Sequence, residues 1–176
     1  MLKMKSLRES LLDNDLVEKP DKMIKDEIKL FLKENYDGLI KISKKPNVVG
    51  KYEVSSTKSI RVKNYNITSL TNGMFIWSTV DGYFDCNYCR SLKSLEGAPK
   101  EVGKGFRCSN CNSLKSLEGA PEKVGWGFYC HSCNSLKSLE GAPKEVGRNF
   151  HCYDCAGKFT KEDVKKISNV KKDIIC

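Results

Sequence analysis

The chain has 176 residues, a formal net charge of +9, and is 39% hydrophobic and 30% charged. That length holds one or two domains, and the apolar content is too high for a fully disordered chain. The longest apolar run is Met74–Trp77, whereas a membrane span needs about 20 such residues, so no spanning segment is expected. Lys3, Lys5, Arg8 and Glu9 leave no room for the apolar centre of a secretion signal. The expected location is therefore the cytoplasm.

Residues 1–38 read as helical. Pro20 suits a first helical position. Met23, Ile24, Ile28, Phe31 and Leu32 then share one face at helical spacing, and Gly38 marks a stop. Leu39–Ile42 and Tyr52–Val54 flank Lys45–Gly50, the pattern of a β-hairpin. Residues 1–58 are thus expected to form an N-terminal helix-plus-hairpin cap. An open stack of repeats needs one, because its end exposes apolar side chains and an unpaired edge.

Residues 59–156 are repetitive. Phe84–Gly105 reads FDCNYCRSLKSLEGAPKEVGKG, and near copies begin at Phe106 and Phe128. A fourth copy starts at Phe150 and departs after FHCYDCAG. The period is 22 residues, the signature of stacked structural units. A weaker unit lies upstream, with Ile60, Val62, Tyr65, Ile67 and Leu70 at similar apolar spacing and Val80 in the place of Val102, Val124 and Val146. Within a unit, Phe-x-Cys alternates as a strand does. The x-x-Cys-x-x-Leu-x-x-Leu run that follows turns the chain away, and Gly-Ala-Pro forbids a long helix. Each unit is therefore a short strand, a bend and a compact return. One unit alone cannot bury enough apolar surface to offset the entropy of ordering it, so the units must stack.

Residues 157–176 are expected to close the far end. Thr160 suits a helix N-cap, with Val164 and Ile167 turned toward the last unit.

The spacing Phe106-x-Cys108-x-x-Cys111-x-x-Leu114-x-x-Leu117 resembles a leucine-rich repeat. Phe and the first Cys stand where that family has inward leucines. The second Cys stands at its Asn-or-Cys position, where a small polar group satisfies backbone at the bend. The next leucine follows that Cys by three residues rather than two, so the unit is a variant. The resemblance implies a short α/β repeat fold: a leucine-rich-repeat-like solenoid of about five rungs with parallel strands. The SLKSLEGAPKEVG repeats are similar to those of gut-bacterial phages and their hosts, and MLKMKSLRESLLDND resembles leaders on phage proteins. Such repeats mostly bind other macromolecules.

Eight of the nine cysteines form Cys-x-x-Cys pairs, at 86/89, 108/111, 130/133 and 152/155; the ninth is Cys176. Three readings compete: buried structural thiols, zinc, and redox or disulfide use. Consecutive pairs match the spacing of a four-cysteine zinc site. Yet the first Cys of each pair replaces an inward residue, where a thiol packs as a small hydrophobe. Stacked strands also give every pair two equivalent neighbours and no unique partner. We read the cysteines as buried structural thiols, assign no metal and no cofactor, and keep a zinc-stabilised nucleic-acid-binding protein as the alternative. His131 and His151 each adjoin a Cys, but alternation turns neighbours to opposite faces, so no thiol–imidazole pair is implied and no enzyme is expected.

The units differ mainly at outward positions. After each Phe stand Asp85, Arg107, Tyr129 and His151. After each first Cys stand Asn87-Tyr88, Ser109-Asn110, His131-Ser132 and Tyr153-Asp154. Lys104, Trp126 and Arg148 vary as well, near the end of each turn. Shared residues are scaffold, so the differences fall on a recognition surface, the concave strand face of the stack. Tyr, Arg, His and Trp dominate binding hot spots. The expected partner is another protein, host-encoded if the chain is a phage inhibitor of host defence. Direct nucleic-acid binding is not favoured, because residues 1–58, 59–156 and 157–176 each carry a net +3 rather than one basic stripe.

Overall fold

The computed structural model describes residues 21–176. The readings placed on the leader and on Pro20 lie outside the described residues. In chain order the elements are α1 (Asp21–Asn35), β1 (Tyr36–Asp37), β2 (Lys41–Ile42), β3 (Tyr52–Ser56), β4 (Ile60–Val62) and β5 (Phe75–Val80). The repeats add β6 (Phe84–Asp85), β7 (Glu101–Val102), β8 (Phe106–Arg107), β9 (Lys123–Val124), β10 (Phe128–Tyr129), β11 (Glu145–Val146) and β12 (Phe150–His151). The chain finishes with α2 (Lys161–Ile167), β13 (Asn169–Val170) and β14 (Ile174–Ile175).

These strands build two seven-stranded sheets. The first runs β1-β4-β6-β8-β10-β12-β14, the second β13-β11-β9-β7-β5-β3-β2. Only β1 and β2 are antiparallel to their neighbours. The other six strands of each sheet are parallel, so the chain winds six coils of a solenoid. Each coil enters on the second sheet, turns a tight corner and leaves on the first. Register follows the repeat: Phe84, Phe106, Phe128 and Phe150 lie opposite one another in turn. So do Val80, Val102, Val124 and Val146.

The repeat sequence dictates the coil. Phe and both Cys point inward and are buried, as are the two Leu and the Val. The Phe rings stack, with centroids 5.5 Å apart for Phe84–Phe106 and 5.6 Å for Phe106–Phe128. After the second Leu the chain makes a turn in which the Ala98 N–H donates to the Leu95 carbonyl at 2.9 Å, and Gly97 has φ +84°. That is the type II geometry, whose third position requires glycine. Ala120 and Ala142 repeat the bond. The compact return predicted for each unit ends in a two-residue strand, Glu-Val or Lys-Val, which builds the second sheet.

The hairpin forms as expected, β2 pairing with β3. The helix ends at Asn35, earlier than Gly38, because β1 begins there and pairs with β4. Ile28 and Leu32 are buried against the first coil, whereas Met23 is 49% exposed. Phe31, Tyr36, Phe75 and Trp77 form an edge-to-face aromatic cluster that carries the core from the cap to Phe84. In the weak first unit Ile60, Val62, Ile67 and Leu70 are buried but Tyr65 is 50% exposed, so it does not take the place of a second Cys.

The tail does more than close the end. Thr160 caps α2 with a full capping box and Val164 is buried, but Ile167 faces outward. β13 and β14 then extend both sheets, which makes six coils rather than about five. Ile174 lies opposite Phe150 and Ile175 opposite His151. Cys176 consequently falls beside Cys152, with Cα atoms 4.7 Å apart, and the two are disulfide-bonded, so Cys152 is not the buried free thiol expected of it.

Candidate protein-binding face

Because one coil repeats, each outward position becomes a column across the first sheet. The residue after each Phe gives Arg61, Asp85, Arg107, Tyr129, His151 and Ile175, each opposite the next. Asp85 sits between two guanidiniums, 3.9 Å from Arg61 and 3.8 Å from Arg107. Arg107 lies over the Tyr83 ring at 4.4 Å and over the Tyr129 ring at 5.8 Å. Tyr129 meets His151 edge-on at 5.0 Å. Cation and aromatic contacts thus run the length of the column.

The second column is Asn87, Ser109, His131 and Tyr153. His131 and Tyr153 stack with centroids 4.5 Å apart and planes 5° from parallel. The Asn87 side-chain oxygen accepts a bond from the Ser109 N–H at 2.8 Å. Ser109 is only 2% exposed, so its side chain does not stand on the outward surface. Burial holds His131 and His151 below the usual imidazole range, each with a carboxylate (Asp154, Asp173) pulling weakly the other way.

The third set, Tyr88, Asn110, Ser132 and Asp154, has another reason to vary. All four have φ between +53° and +63°, the left-handed corner of the coil. Asn and Asp suit that region, and the N–H groups of Tyr88, Asn110 and Ser132 donate to the next coil, Tyr88 to the Ser109 carbonyl at 2.9 Å. Sequence differences at this corner reflect backbone geometry as well as exposure. Tyr88 and Asp154 remain exposed there, and Asn110 and Ser132 half-buried.

The inner side of these strands holds the cysteines. The second Cys of each unit donates to the carbonyl of the first Cys one coil back: Cys111 to Cys86, Cys133 to Cys108 and Cys155 to Cys130, each at 3.2 Å. This is the backbone-satisfying role expected at the bend. Cys86 is pushed well up by its contact with the Cys111 thiol and by burial, and burial pushes Cys89, Cys108 and Cys130 up. For these four the neutral thiol is the favoured form, whereas the contact with the Cys133 thiol draws Cys155 below its ordinary value. Among the described residues no three His, Cys, Asp or Glu side chains come together in a way that could hold a metal ion.

Sequence reasoning left Arg61 and Tyr83 out of the face and placed Lys104, Trp126 and Arg148 only as variable turn residues. The structure brings them beside the first column. Trp126 meets Tyr83 edge-on at 6.0 Å, with Arg148 over its ring at 4.7 Å and Lys104 at 5.3 Å. Their variation between otherwise identical units was the signal for them.

Fold and face together define a repeat protein, a solenoid of stacked parallel strands about 22 residues apart, with one side chemically varied. No known protein family matches the chain, and neither a curated protein nor a solved structure matches it. No helix among the described residues is long and apolar enough to cross a membrane.

Proposed function

We propose that this chain is a non-catalytic binding module that presents the outward face of its first sheet to another protein. One observation carries the reading. Coils that share their inward residues almost to the letter differ in the column Asp85, Arg107, Tyr129 and His151, and these half-exposed side chains contact one another in a continuous row. Columns of Arg, Tyr and His on a rigid scaffold supply pre-ordered anchors, so little side-chain entropy is lost on binding. The leucine-rich-repeat-like character, and the similarity of the repeats to those of gut-bacterial phages and hosts, extend the proposal to a phage-encoded inhibitor acting on a host defence protein in the host cytoplasm. The competing zinc-stabilised nucleic-acid binder needs four thiolates around one ion, whereas Cys111, Cys133 and Cys155, the second thiols of their pairs, each donate to a carbonyl.

The test is capture from host lysate, treated with nuclease, by the full chain and by Arg107→Ala/Tyr129→Ala. The double variant is expected to lose the captured protein while melting within a few degrees of the parent, because neither side chain is in the core. Undiminished capture would discard this face. Capture that vanishes with nuclease would favour the nucleic-acid reading.

A further inference from the structure

The corner between the two sheets carries a column that adjoins the binding face. Trp126 donates from its backbone N–H to the Lys104 carbonyl at 2.9 Å, Arg148 to Trp126 at 2.6 Å and Lys172 to Arg148 at 3.0 Å. Lys104, Trp126, Arg148 and Lys172 therefore stand one per coil. Beside them lie Arg61 and Arg107 of the first-sheet column. The strip carries five cations against three carboxylates, Asp37, Asp85 and Asp173, and Asp37 is itself paired with Lys63 at 3.3 Å. Its positive charge is held in place: Lys104 and Arg148 rest on the Trp126 ring, and Arg107 rests on Tyr83. Arg61 and Arg107 share the single Asp85 carboxylate at 3.9 and 3.8 Å, so neither fork is filled. A shallow depression lined by Asp37, Ser59, Arg61, Tyr83, Asp85 and Arg107 opens at that end.

We infer that the strip formed by Arg61, Lys104, Arg107, Trp126, Arg148 and Lys172 docks an acidic segment, rich in Asp and Glu, on the partner protein. This deepens the binding-module reading and rests on it. Planar guanidinium forks with spare donors match carboxylates. Two features favour carboxylates over a nucleic-acid backbone. The exposed aromatic faces are already occupied by cations, so they offer no free platform for bases. Lys104 to Lys172 spans three coil steps of about 4.8 Å each, short against the roughly 4–16 nucleotides of a single-strand groove.

Trp126 makes the proposal directly readable. The chain has two tryptophans, and Trp77 is fully buried while Trp126 is 38% exposed, so a ligand on the strip changes the emission of Trp126 alone. The full chain is titrated with a synthetic alternating Glu-Asp peptide and, separately, with an oligo-dT strand of equal charge. The expected result is a saturable change with the peptide that weakens as salt rises. In Lys104→Glu/Arg148→Glu, with an unchanged circular dichroism spectrum, peptide affinity should fall about tenfold or more, since both cations flank the ring. Tighter binding of oligo-dT than of the peptide would overturn the inference, as would no response to the peptide or an unaffected double variant. If the peptide fails while lysate capture still depends on Arg107 and Tyr129, the acidic chemistry is wrong and the binding-module reading stands.

Discussion

Phe128→Ala is expected to cost about 3–5 kcal/mol of stability. Phe128 is fully buried in the middle of the ring stack, 5.6 Å from Phe106 and 5.1 Å from Phe150. Its backbone is held on both sides, its N–H donating to Asn149 at 2.9 Å and the Cys108 N–H donating to the Tyr129 carbonyl at 2.8 Å. Those ladders fix the coil spacing, so neighbouring coils cannot close over the space a missing ring leaves. The cost therefore contains the cavity as well as the lost burial. Tyr65→Ala, at a half-exposed ring outside the stack, should change stability by no more than about 0.5 kcal/mol. Denaturant unfolding followed by circular dichroism and by Trp77 emission measures both. Two probes are needed because repeat arrays can unfold in parts. A loss under about 1 kcal/mol would mean that the rings do not stack as described.

Gly125→Ala is expected to be nearly as damaging for the opposite reason. A Cβ at Gly125 would lie 2.0 Å from the Gly103 carbonyl oxygen of the preceding coil, and one at Gly147 would lie 2.0 Å from the Gly125 oxygen. The obstacle is backbone, and that backbone is tied into the ladder by the Gly125 N–H bonding Val102 at 2.8 Å. Neither side can yield without separating two coils. A loss of at least about 3 kcal/mol follows, at the upper end for overpacking. Gly73→Ala provides the contrast. Its φ is +69° but nothing lies within 4 Å of the added carbon, so only the left-handed backbone is penalised, by about 1–2 kcal/mol. Equal effects at the two glycines would contradict the close corner packing.

Much of this architecture can be read from the repeat. A 22-residue identity forces equivalent residues into register, and alternation around Phe84 and Cys86 separates inside from outside correctly. The second sheet is less legible because Glu101–Val102 and its equivalents are two residues long, too short for a period to appear. The sixth coil is hidden for another reason. From Phe150 to Ile174 the offset is 24 residues and a helix intervenes, so the sequence loses its likeness while the backbone keeps its register. That register alone places Cys176 beside Cys152. On the face, Arg107, Tyr129 and His151 are where alternation puts them. Ser109 is the exception: it is 2% exposed, whereas Asn87, His131 and Tyr153 at the same place in other coils are half-buried. Tyr88, Asn110, Ser132 and Asp154 look like recognition residues in sequence, yet their left-handed φ ties them to the bend.

The face and the core depend on each other. Half-exposed columns hold their geometry only because the inward columns fix each coil against the next, and the cysteines are part of that inward set. Thiols that left the core to bind an ion would draw the bends together and disrupt the Arg107–Tyr129–His151 row. The state of the sulfurs is therefore the point on which both architecture and function turn.

Its most direct measurement is the thiol count of the folded protein against a water-soluble disulfide reagent, made alongside metal analysis and melting in a chelator. Cys86, Cys89, Cys108, Cys111, Cys130, Cys133 and Cys155 are buried free thiols. They should stay unreactive in the native chain, become countable on unfolding, carry no stoichiometric zinc and leave the melting temperature unchanged by chelation. One or two zinc ions per chain, with a chelator-induced collapse of stability toward the roughly 10–16 kcal/mol that structural zinc supplies, would contradict it.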